Sequence, residues 1–326
     1  MKIGIVGPGA MGCLLAGNMV RAGNEVLLLD HEKERAEVIN LQGLSVEGIR
    51  GAFQVKVPVT LNPLELSQVE LIINCVKAYD TRTVARTLKD IDPGPYFLTL
   101  QNGVGNVEHL GEYLPKEKIL AGITSHGATD LGPGQVRHAG QGDTFIGYGF
   151  PEMDRGPDSD SLLKMIQEML TQAGFKTKSV PKVQNLIWSK LLINVGINAL
   201  TALTRLPNGK LLDFPGTRII LEEAVQEGLL VGKQKGIEFI YADPLEQVKK
   251  VCRLTGSNVS SMLQDVLKQK RTEIDFINGV IMKEGAIYHI PVPINRVLTC
   301  LIKTIEESYG QSVWDGSFIS QTTGSL

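Results

Sequence analysis

The sequence predicts an α/β domain built on a doubly wound parallel sheet, followed by an all-α domain. Short apolar runs alternate with helical patterns over the first half of the chain, whereas only helical spacing follows Pro181. The length agrees, because 326 residues exceed the size at which one hydrophobic core is usual. We therefore expect one domain over residues 1–180 and a second over residues 181–326.

Four apolar runs in the first half predict strands, and they lie at residues 2–6, 25–29, 71–76 and 96–100. The helical patterns between them predict a parallel sheet that is covered on both faces. Residues 44–60 are rich in glycine and β-branched residues and predict a hairpin insert. Residues 119–148 alternate apolar residues with glycine-rich turns and predict strands that extend the sheet at its far edge. A helix at about 160–173 and the run 175–180 complete this half.

The second half has helical spacing throughout. Prolines and one glycine separate five predicted helices, at residues 182–204, 217–236, 244–255, 260–287 and 293–309. The last residues, 316–326, are expected to form a loose end.

Composition excludes several classes of partner. Lys and Arg number 33 against 35 Asp and Glu, which gives no electrostatic case for nucleic acid or for an anionic membrane surface. The four cysteines have no zinc-ligand spacing, so we expect reduced, partly buried thiols and no metal site. The N-terminus has glycines where an export signal would stay apolar. We expect a cytoplasmic protein with a small-molecule partner, either a monomer or a homodimer.

Three glycines follow the first predicted strand with the spacing G-x-G-x-x-G. Gly7 permits a tight turn, Gly9 lets the backbone approach a pyrophosphate, and Gly12 lets the next helix pack on the strand. A purely structural glycine turn is the alternative. The strand before the motif and the helix and second strand after it favour a Rossmann-type dinucleotide site, formed by Gly7, Pro8, Gly9, Ala10, Met11 and Gly12.

The second predicted strand ends at an acid. Asp30 stands where a carboxylate commonly holds the ribose 2′-hydroxyl of NAD(H) and repels a 2′-phosphate. His31, Lys33 and Arg35 follow and could instead accept that phosphate. Asp30 could also serve only as a turn or capping residue. The residues alone therefore leave the choice between NAD(H) and NADP(H) open.

Two more polar residues follow predicted strands. Lys77 comes after the run 71–76, and Asn102 comes after the run 96–100. Ligands of such sheets bind at the carboxyl ends of the strands, so both residues are candidates for the cofactor crevice. A solvated lysine at a helix start and an Asn-Gly turn are the structural alternatives.

The helix predicted at 182–204 is apolar except for one polar face. Lys190, Asn194 and Asn198 recur every fourth residue, which places them on the same side of the helix. A buried lysine without a partner is costly, so this face should border a cleft or meet an acid. The alternative is a lysine that reaches solvent and two asparagines that bond to neighbouring helices.

The stretch from 257 to 279 offers candidates for that partner. Glu273 and Asp275 lie within the helix predicted at 260–287, although Glu273 could instead pair with Arg271 or Lys270 on a solvated face. Asn258 and Ser261 lie near its start. Ser261 with Gln264 also fits a helix capping box, which is a structural explanation for the serine.

Taken in order, these motifs resemble the ketopantoate reductase family over nearly the whole chain. The matching stretches are "GIVGPGAMG", "VKAY", "QNGVG", "TSHGA" with Ala128, "WSKLLINVGINALTAL", "PNGKL", "NVSSMLQD" and "RTEIDFING". The resemblance implies NADPH-dependent reduction of 2-dehydropantoate to (R)-pantoate, in the route to pantothenate and coenzyme A. One departure concerns the cofactor, because the family commonly has a basic residue where this chain has Asp30 and His31.

The resemblance also implies roles for individual residues. Lys190 would be the general acid, and Glu273 would hold the substrate hydroxyl or tune the lysine. Asn194, Asn198, Asn208 and Ser261 would bind substrate, and Asn258 would help to shape the site. Lys77, Asn102, Ala128 and Glu273 would lie around the cofactor or the adjoining substrate. The alternatives are a related dehydrogenase for another 2-keto or 3-hydroxy acid, and a non-catalytic nucleotide-sensing protein.

Overall fold

The computed structural model describes residues 1–91, 94–153 and 159–311. The chain divides into two compact units, of which the first ends at Lys190 and the second begins at Leu191. The predicted domain boundary near residue 180 stays a prediction. The loose end predicted at 316–326 lies outside the described residues.

The first unit contains both strands and helices. Its strands are β1 (Lys2–Val6), β2 (Glu25–Leu29), β3 (Leu44–Gly48), β4 (Phe53–Val55), β5 (Val59–Thr60), β6 (Leu71–Asn74), β7 (Tyr96–Thr99), β8 (Ile119–Thr124), β9 (Gly127–Gly132), β10 (Gln135–Gly140), β11 (Thr144–Tyr148) and β12 (Thr177–Ser179). Its helices are α1 (Ala10–Arg21), α2 (Lys33–Gln42), α3 (Thr81–Leu88), α4 (Asn106–Gly111) and α5 (Ser159–Gln172), and α6 (Val183–Thr204) begins in this unit.

The larger sheet, within the described residues, has eight strands in the order β12-β11-β8-β7-β6-β1-β2-β5. Its neighbouring strands are parallel except for the antiparallel pair β8 and β11. Successive residues of one strand enter different cores: Leu71 and Ile73 pack in the core that includes α1 and α5, whereas Ile72 packs in the core that includes α3 and α4. The predicted doubly wound sheet, covered on both faces, is thereby confirmed.

A second sheet of the described residues has the order β4-β3-β10-β9 and packs on α1. The hairpin predicted at 44–60 is confirmed for β3 and β4, which pair in antiparallel fashion, whereas β5 pairs with β2 in the larger sheet. The prediction that all of 119–148 extends the main sheet is wrong for β9 and β10, which join this hairpin instead. The physical reason is burial: β8 is buried on both faces, whereas β10 alternates exposed and buried residues, as a sheet covered on one side requires.

The second unit is helical, as predicted. After the remainder of α6 it contains α7 (Pro215–Gln234), α8 (Pro244–Leu254), α9 (Ser261–Leu267), α10 (Asn278–Ile287) and α11 (Pro293–Glu307). The single helix predicted at 260–287 is wrong, because the chain leaves the helix after α9, with Gln269 at a φ of 52°, and re-enters it at α10. Ile274 and Phe276 are buried in the intervening 3-10 turn, so the apolar spacing continues where the helix does not.

One long apolar helix and the four cysteines differ in how far they are buried. Helix α6 is, of the helices in the described residues, the one long and apolar enough to cross a membrane, and 72% of its most apolar window is buried within the protein. That burial is typical of a core helix. All four cysteines are unbridged, with Cys13 and Cys252 buried, Cys75 partly buried and Cys300 exposed.

Candidate functional site

The glycine turn after β1 has the geometry of a phosphate-binding turn. Gly7 has a φ of +89°, a conformation that L side chains rarely adopt. A Cβ on Gly12 would lie 2.2 Å from the carbonyl oxygen of Gly7, so only glycine permits this helix to start so close to the strand. A Cβ on Gly9 would meet nothing within 4 Å. The backbone at Gly9 is therefore open to a ligand.

Helix α1 presents its N-terminus at this turn. Gly9 is the N-cap residue, and no side chain caps the first turn, which Ala10, Met11 and Gly12 form. Uncapped N–H groups and the helix dipole attract phosphate oxygens. The thiol of Cys13 donates a hydrogen bond to the carbonyl oxygen of Pro8 at 3.2 Å and fixes the turn from within. These residues fit the pyrophosphate of a dinucleotide.

Asp30 directly follows β2, and its side chain is fully buried. It accepts hydrogen bonds from the backbone N–H groups of His31 and Glu32 and from Nε and Nη2 of Arg35 at 2.6 and 2.5 Å. Burial by itself would raise the pKa of this carboxyl, but the hydrogen bonds from Arg35 and from the backbone lower it below its ordinary value. Asp30 is thus an ionised anchor of its own turn, and the neighbouring His31 side chain is 89% exposed.

The ends of β6 and β7 are joined by a side-chain network that the sequence analysis missed. Gln101 donates to the carbonyl oxygen of Val76 and to the hydroxyl of Thr81, and its Oε1 accepts from Asn74 and Thr99. The network links the end of β6 to the end of β7, and Gln101 contacts the chain before Lys77 at Val76 and after it at Thr81. Lys77 is half-buried and precedes a 3-10 turn. A polar residue directly after an apolar strand was the available signal.

The central observation concerns Lys190 on α6. Its Nζ donates a hydrogen bond to Oδ1 of Asn102 at 3.1 Å and another to the carbonyl oxygen of Thr124 at 2.8 Å. Asn102 is itself held by Asn106, whose Nδ2 donates to the Asn102 carbonyl oxygen at 3.0 Å. The structure therefore brings together two residues predicted independently, Lys190 and Asn102, at the carboxyl ends of β7 and β8. Thr124 acts through its backbone, which has no sequence signature.

The hydrogen bonds from Lys190 to Asn102 and Thr124 go to neutral oxygens. They orient the ammonium at the carboxyl ends of β7 and β8, where it can act on an oxygen that becomes negative. The lysine is only partly buried, which limits the cost of keeping it charged. An oriented cation of this kind can donate a proton.

The remaining predicted residue of the first unit is Ala128. It lies on β9, opposite His138 of β10, and packs partly buried against the core that includes α1. Ala128 can contact a ligand through its backbone and its methyl group.

In the second unit, α6 carries Asn194 and Asn198 one and two turns after Lys190. Asn198 is buried and Asn194 is partly buried. Asn208 is buried as well: its N–H donates to the carbonyl oxygen of Asn258, its Nδ2 donates to Thr255, and its Oδ1 has no hydrogen-bond partner among the described residues. A buried amide oxygen in this state is poised to accept a hydrogen bond from a ligand.

Ser261 and Glu273 differ in placement from their sequence predictions. The capping residue of α9 is Ser260, whose hydroxyl accepts from the N–H of Leu263, so the structural alternative in which Ser261 caps this helix does not hold. Ser261 is exposed and opens the helix. Glu273 lies in the break between α9 and α10 rather than within a helix, and it is 6% exposed.

Comparison with known proteins places these features in a family. The family model described as ketopantoate reductase PanE/ApbA matches residues 3–149, and the model of the C-terminal part of the same family matches residues 182–306. A 2-dehydropantoate 2-reductase of Halobacterium salinarum is 36% identical over 304 residues, which cover 93% of this chain and 98% of that protein.

Solved structures agree with this match. A PanE/ApbA family ketopantoate reductase from Ralstonia eutropha JMP134 superposes with a TM-score of 0.86 at 31% identity, covering 94% of this chain and 99% of that chain. A D-mandelate dehydrogenase solved with NADH and anilino(oxo)acetate has a TM-score of 0.85 at 27% identity, with coverage of 94% and 99%. The chain belongs to the ketopantoate reductase PanE/ApbA family of NAD(P)H-dependent oxidoreductases.

Proposed function

We propose that this protein reduces 2-dehydropantoate to (R)-pantoate with NADPH, in the biosynthesis of pantothenate and coenzyme A. The observation that carries the proposal is the position of the Lys190 ammonium, held by Asn102 and Thr124 at the carboxyl ends of β7 and β8. The relative from Halobacterium salinarum, named 2-dehydropantoate 2-reductase, supports the substrate.

The nicotinamide cofactor supplies the hydride when it is bound. Gly7, Pro8, Gly9, Ala10, Met11 and Gly12 bind its pyrophosphate in this proposal, and Asp30 and His31 lie beside its adenosine ribose. Lys77, Asn102, Ala128 and Glu273 are assigned to the cofactor or to the substrate next to it.

A carboxylate at the position of Asp30 disfavours NADPH because it repels a 2′-phosphate, but the surroundings of Asp30 reduce this effect. Arg35 neutralises the carboxylate through two hydrogen bonds, and the Asp30 side chain is fully buried. The acid is therefore neither accessible to a ribose hydroxyl nor an uncompensated charge facing a 2′-phosphate. The exposed imidazole of His31 can approach such a phosphate.

Lys190 donates the proton in the proposed reaction. Negative charge develops on the ketone oxygen as the carbon accepts hydride, and a lysine within hydrogen-bond reach stabilises that oxygen and protonates it. Asn102 and Thr124 fix the position of Nζ in advance, so little reorganisation is needed.

The second unit supplies the substrate-binding residues in this proposal. Asn194, Asn198, Asn208 and Ser261 offer amide and hydroxyl groups that recognise a carboxylate and a hydroxyl without adding charge. Asn258 fixes Asn208 through its backbone. Glu273 holds the substrate hydroxyl or tunes the lysine.

A second candidate is a reductase of another 2-keto acid. It is favoured by the D-mandelate dehydrogenase structure, which covers 94% of this chain at a TM-score of 0.85 and holds NADH with anilino(oxo)acetate. That enzyme shows that the architecture also accepts an aryl 2-keto acid analogue.

One assay separates these functions. Consumption of NADPH or NADH is followed by nicotinamide absorbance, with 2-dehydropantoate, phenylglyoxylate and a branched aliphatic 2-keto acid as substrates. We expect the highest kcat/KM for 2-dehydropantoate with NADPH. Higher kcat/KM for phenylglyoxylate would establish the second candidate, higher kcat/KM with NADH would overturn the cofactor assignment, and cofactor binding without turnover would indicate a nucleotide sensor.

A further inference from the structure

A polar cavity lies in the first unit, at the end of α1 remote from the glycine turn. It has a volume of about 220 Å³, and its lining residues are Asn18, Arg21, Ala22, Arg50, Gln172 and Ala173. Asn18 and Arg21 come nine and twelve residues after Gly9, which corresponds to roughly 13 to 18 Å along an α-helix. The cavity is therefore distinct from the phosphate-binding turn.

Two guanidinium groups give this cavity a positive charge. In the part of the chain that the structure describes, neither Arg21 nor Arg50 forms an ion pair with an acid, although the whole chain has a net charge of −2. Both arginines are exposed, and each guanidinium has one packing contact. Arg21 lies 4.7 Å from the centre of the Phe53 ring, and Arg50 lies against the backbone of Gly174. Two unneutralised cations at one cavity favour an anion.

The charge of Arg50 also acts on two buried histidines. His126 and His138 are buried nearby, and Arg50 contributes to lowering the pKa of both imidazoles, after the larger effect of burial. The guanidinium of Arg50 is thus close enough to this buried pair to act on it.

Hydrogen bonds at the end of α1 reduce its repulsion of an anion at this place. Carbonyl oxygens at a helix C-terminus repel negative charge when they are uncapped. Here the oxygens of Asn18, Val20 and Met19 accept hydrogen bonds from the N–H groups of Ala22, Gly23 and Asn24. The side chain of Asn24 adds a second bond to Met19 at 3.1 Å.

Amide side chains complete the lining. Asn18 is 7% exposed, and its Nδ2 donates to the carbonyl oxygen of Leu14 at 2.8 Å, which fixes the orientation of the buried amide. Gln172 ends α5 on the other side of the cavity and is exposed. Three elements, namely the end of α1, the turn between β3 and β4, and the end of α5, thus contribute polar groups to one cavity.

We propose that this cavity is a binding site for a small oxyanion, a phosphate or a carboxylate group, held between Arg21 and Arg50. Guanidinium groups bind both classes through paired N–H donors, so the chemistry they share is a compact group with several anionic oxygens. An occupied site ties the β3–β4 turn to α1 and α5. It is separate from the proposed reductase chemistry and does not depend on it.

The test is calorimetric titration of the full-length protein, first saturated with NADPH so that the glycine turn is filled. Inorganic phosphate is titrated in one arm and citrate in the other, with sodium chloride at matched ionic strength as the blank. Four proteins are compared: the natural chain, Arg50→Gln, Arg50→Lys, and Arg86→Gln as a control at an exposed arginine of α3 outside the cavity. Turnover is measured for each.

We expect saturable binding in at least one arm, and the stronger arm identifies the oxyanion class. Arg50→Gln should weaken binding at least about tenfold, because a charge-assisted hydrogen bond contributes that much, and Arg50→Lys should recover part of the loss. Arg86→Gln should bind normally. Heats that match the sodium chloride blank, or equal binding by the natural chain and Arg50→Gln, would overturn the proposal. Turnover should be the same in all four proteins. Its absence from all four would count only against the proposed reductase, whereas its loss in the Arg50 variants alone would contradict the separation of the two sites.

Discussion

At the scale of single residues, one lysine shows how sequence and structure complement each other. Periodicity on α6 marks Lys190 as a cation on a polar face, and desolvation requires that it meet polar groups. The structure supplies two of them, the side chain of Asn102 and the backbone of Thr124. Asn102 was predictable as the residue after a strand, whereas Thr124 was not, because any residue has a carbonyl oxygen.

Replacing Lys190 tests its role as proton donor. We expect Lys190→Ala to lower kcat at least about a hundredfold, since general acid catalysis contributes roughly 10² to 10⁴ in rate. Steady-state turnover of 2-dehydropantoate measures the effect, and circular dichroism verifies the fold. Lys178→Ala, at an exposed lysine of β12, should retain full turnover. Normal kcat in Lys190→Ala would remove the lysine from the mechanism.

At the scale of elements, different glycines of the turn permit close packing of helix on strand and close approach of a ligand. Both Gly9 and Gly12 belong to the same motif, and the sequence assigns them different tasks. The structure agrees, because an added Cβ would strike backbone at Gly12 and open space at Gly9. Alanine substitutions at Gly9 and Gly12 should therefore differ in their effect on stability.

We expect Gly12→Ala to lower both stability and cofactor affinity. Its Cβ would lie 2.2 Å from the Gly7 oxygen, and relief of such overpacking typically costs about 1 to 3 kcal/mol of the free energy of unfolding. Gly9→Ala should leave that free energy nearly unchanged but weaken cofactor binding, because its methyl group would occupy the ligand's approach. Urea unfolding and fluorescence titration with NADPH measure the two quantities. Equal loss of stability in both variants would contradict the division of tasks.

The region between α9 and α10 shows where element prediction fails. The apolar spacing of 260–287 is helical, but Ile274 and Phe276 are buried from a 3-10 turn. Periodicity reports which residues are buried and cannot report that the backbone changes direction between them. The consequence for the proposed site is that Glu273 projects from an irregular segment.

At the scale of the whole molecule, a buried histidine pair links stability to pH. Nδ1 of His126 lies 2.9 Å from Nε2 of His138, and both residues are buried. Burial lowers the pKa of His126 from 6.5 to about 4, with the charges of His138 and Arg50 acting in the same direction, and burial followed by Arg50 lowers the pKa of His138. Protonation therefore favours the unfolded chain.

The histidine pair makes the folded chain less stable at acid pH. A histidine whose pKa is lowered by folding stabilises the native state fully above pH 6.5, and this contribution is lost as the pH falls from about 6.5 towards 4. For His126 the loss is on the order of 3 kcal/mol. Free energies of unfolding in urea between pH 7 and pH 4 should fall steeply for the natural chain and less steeply for His126→Gln. His289→Asn, at an exposed histidine, should keep the natural slope. Parallel slopes for His126→Gln and the natural chain would refute the linkage.

The sequence by itself determined the two fold classes, the glycine turn, and the polar face of α6, because strand and helix periodicity and glycine spacing are local properties of the chain. The tertiary structure decided which distant groups meet: the pairing of β9 and β10 with β3 and β4, the capture of Asp30 by Arg35, and the hydrogen bonds of Lys190. Such contacts form when elements far apart in sequence bury apolar surface against each other and pair their polar groups. Local sequence patterns do not specify which distant elements meet, and for this reason the partners of Lys190 could be identified only in the folded chain.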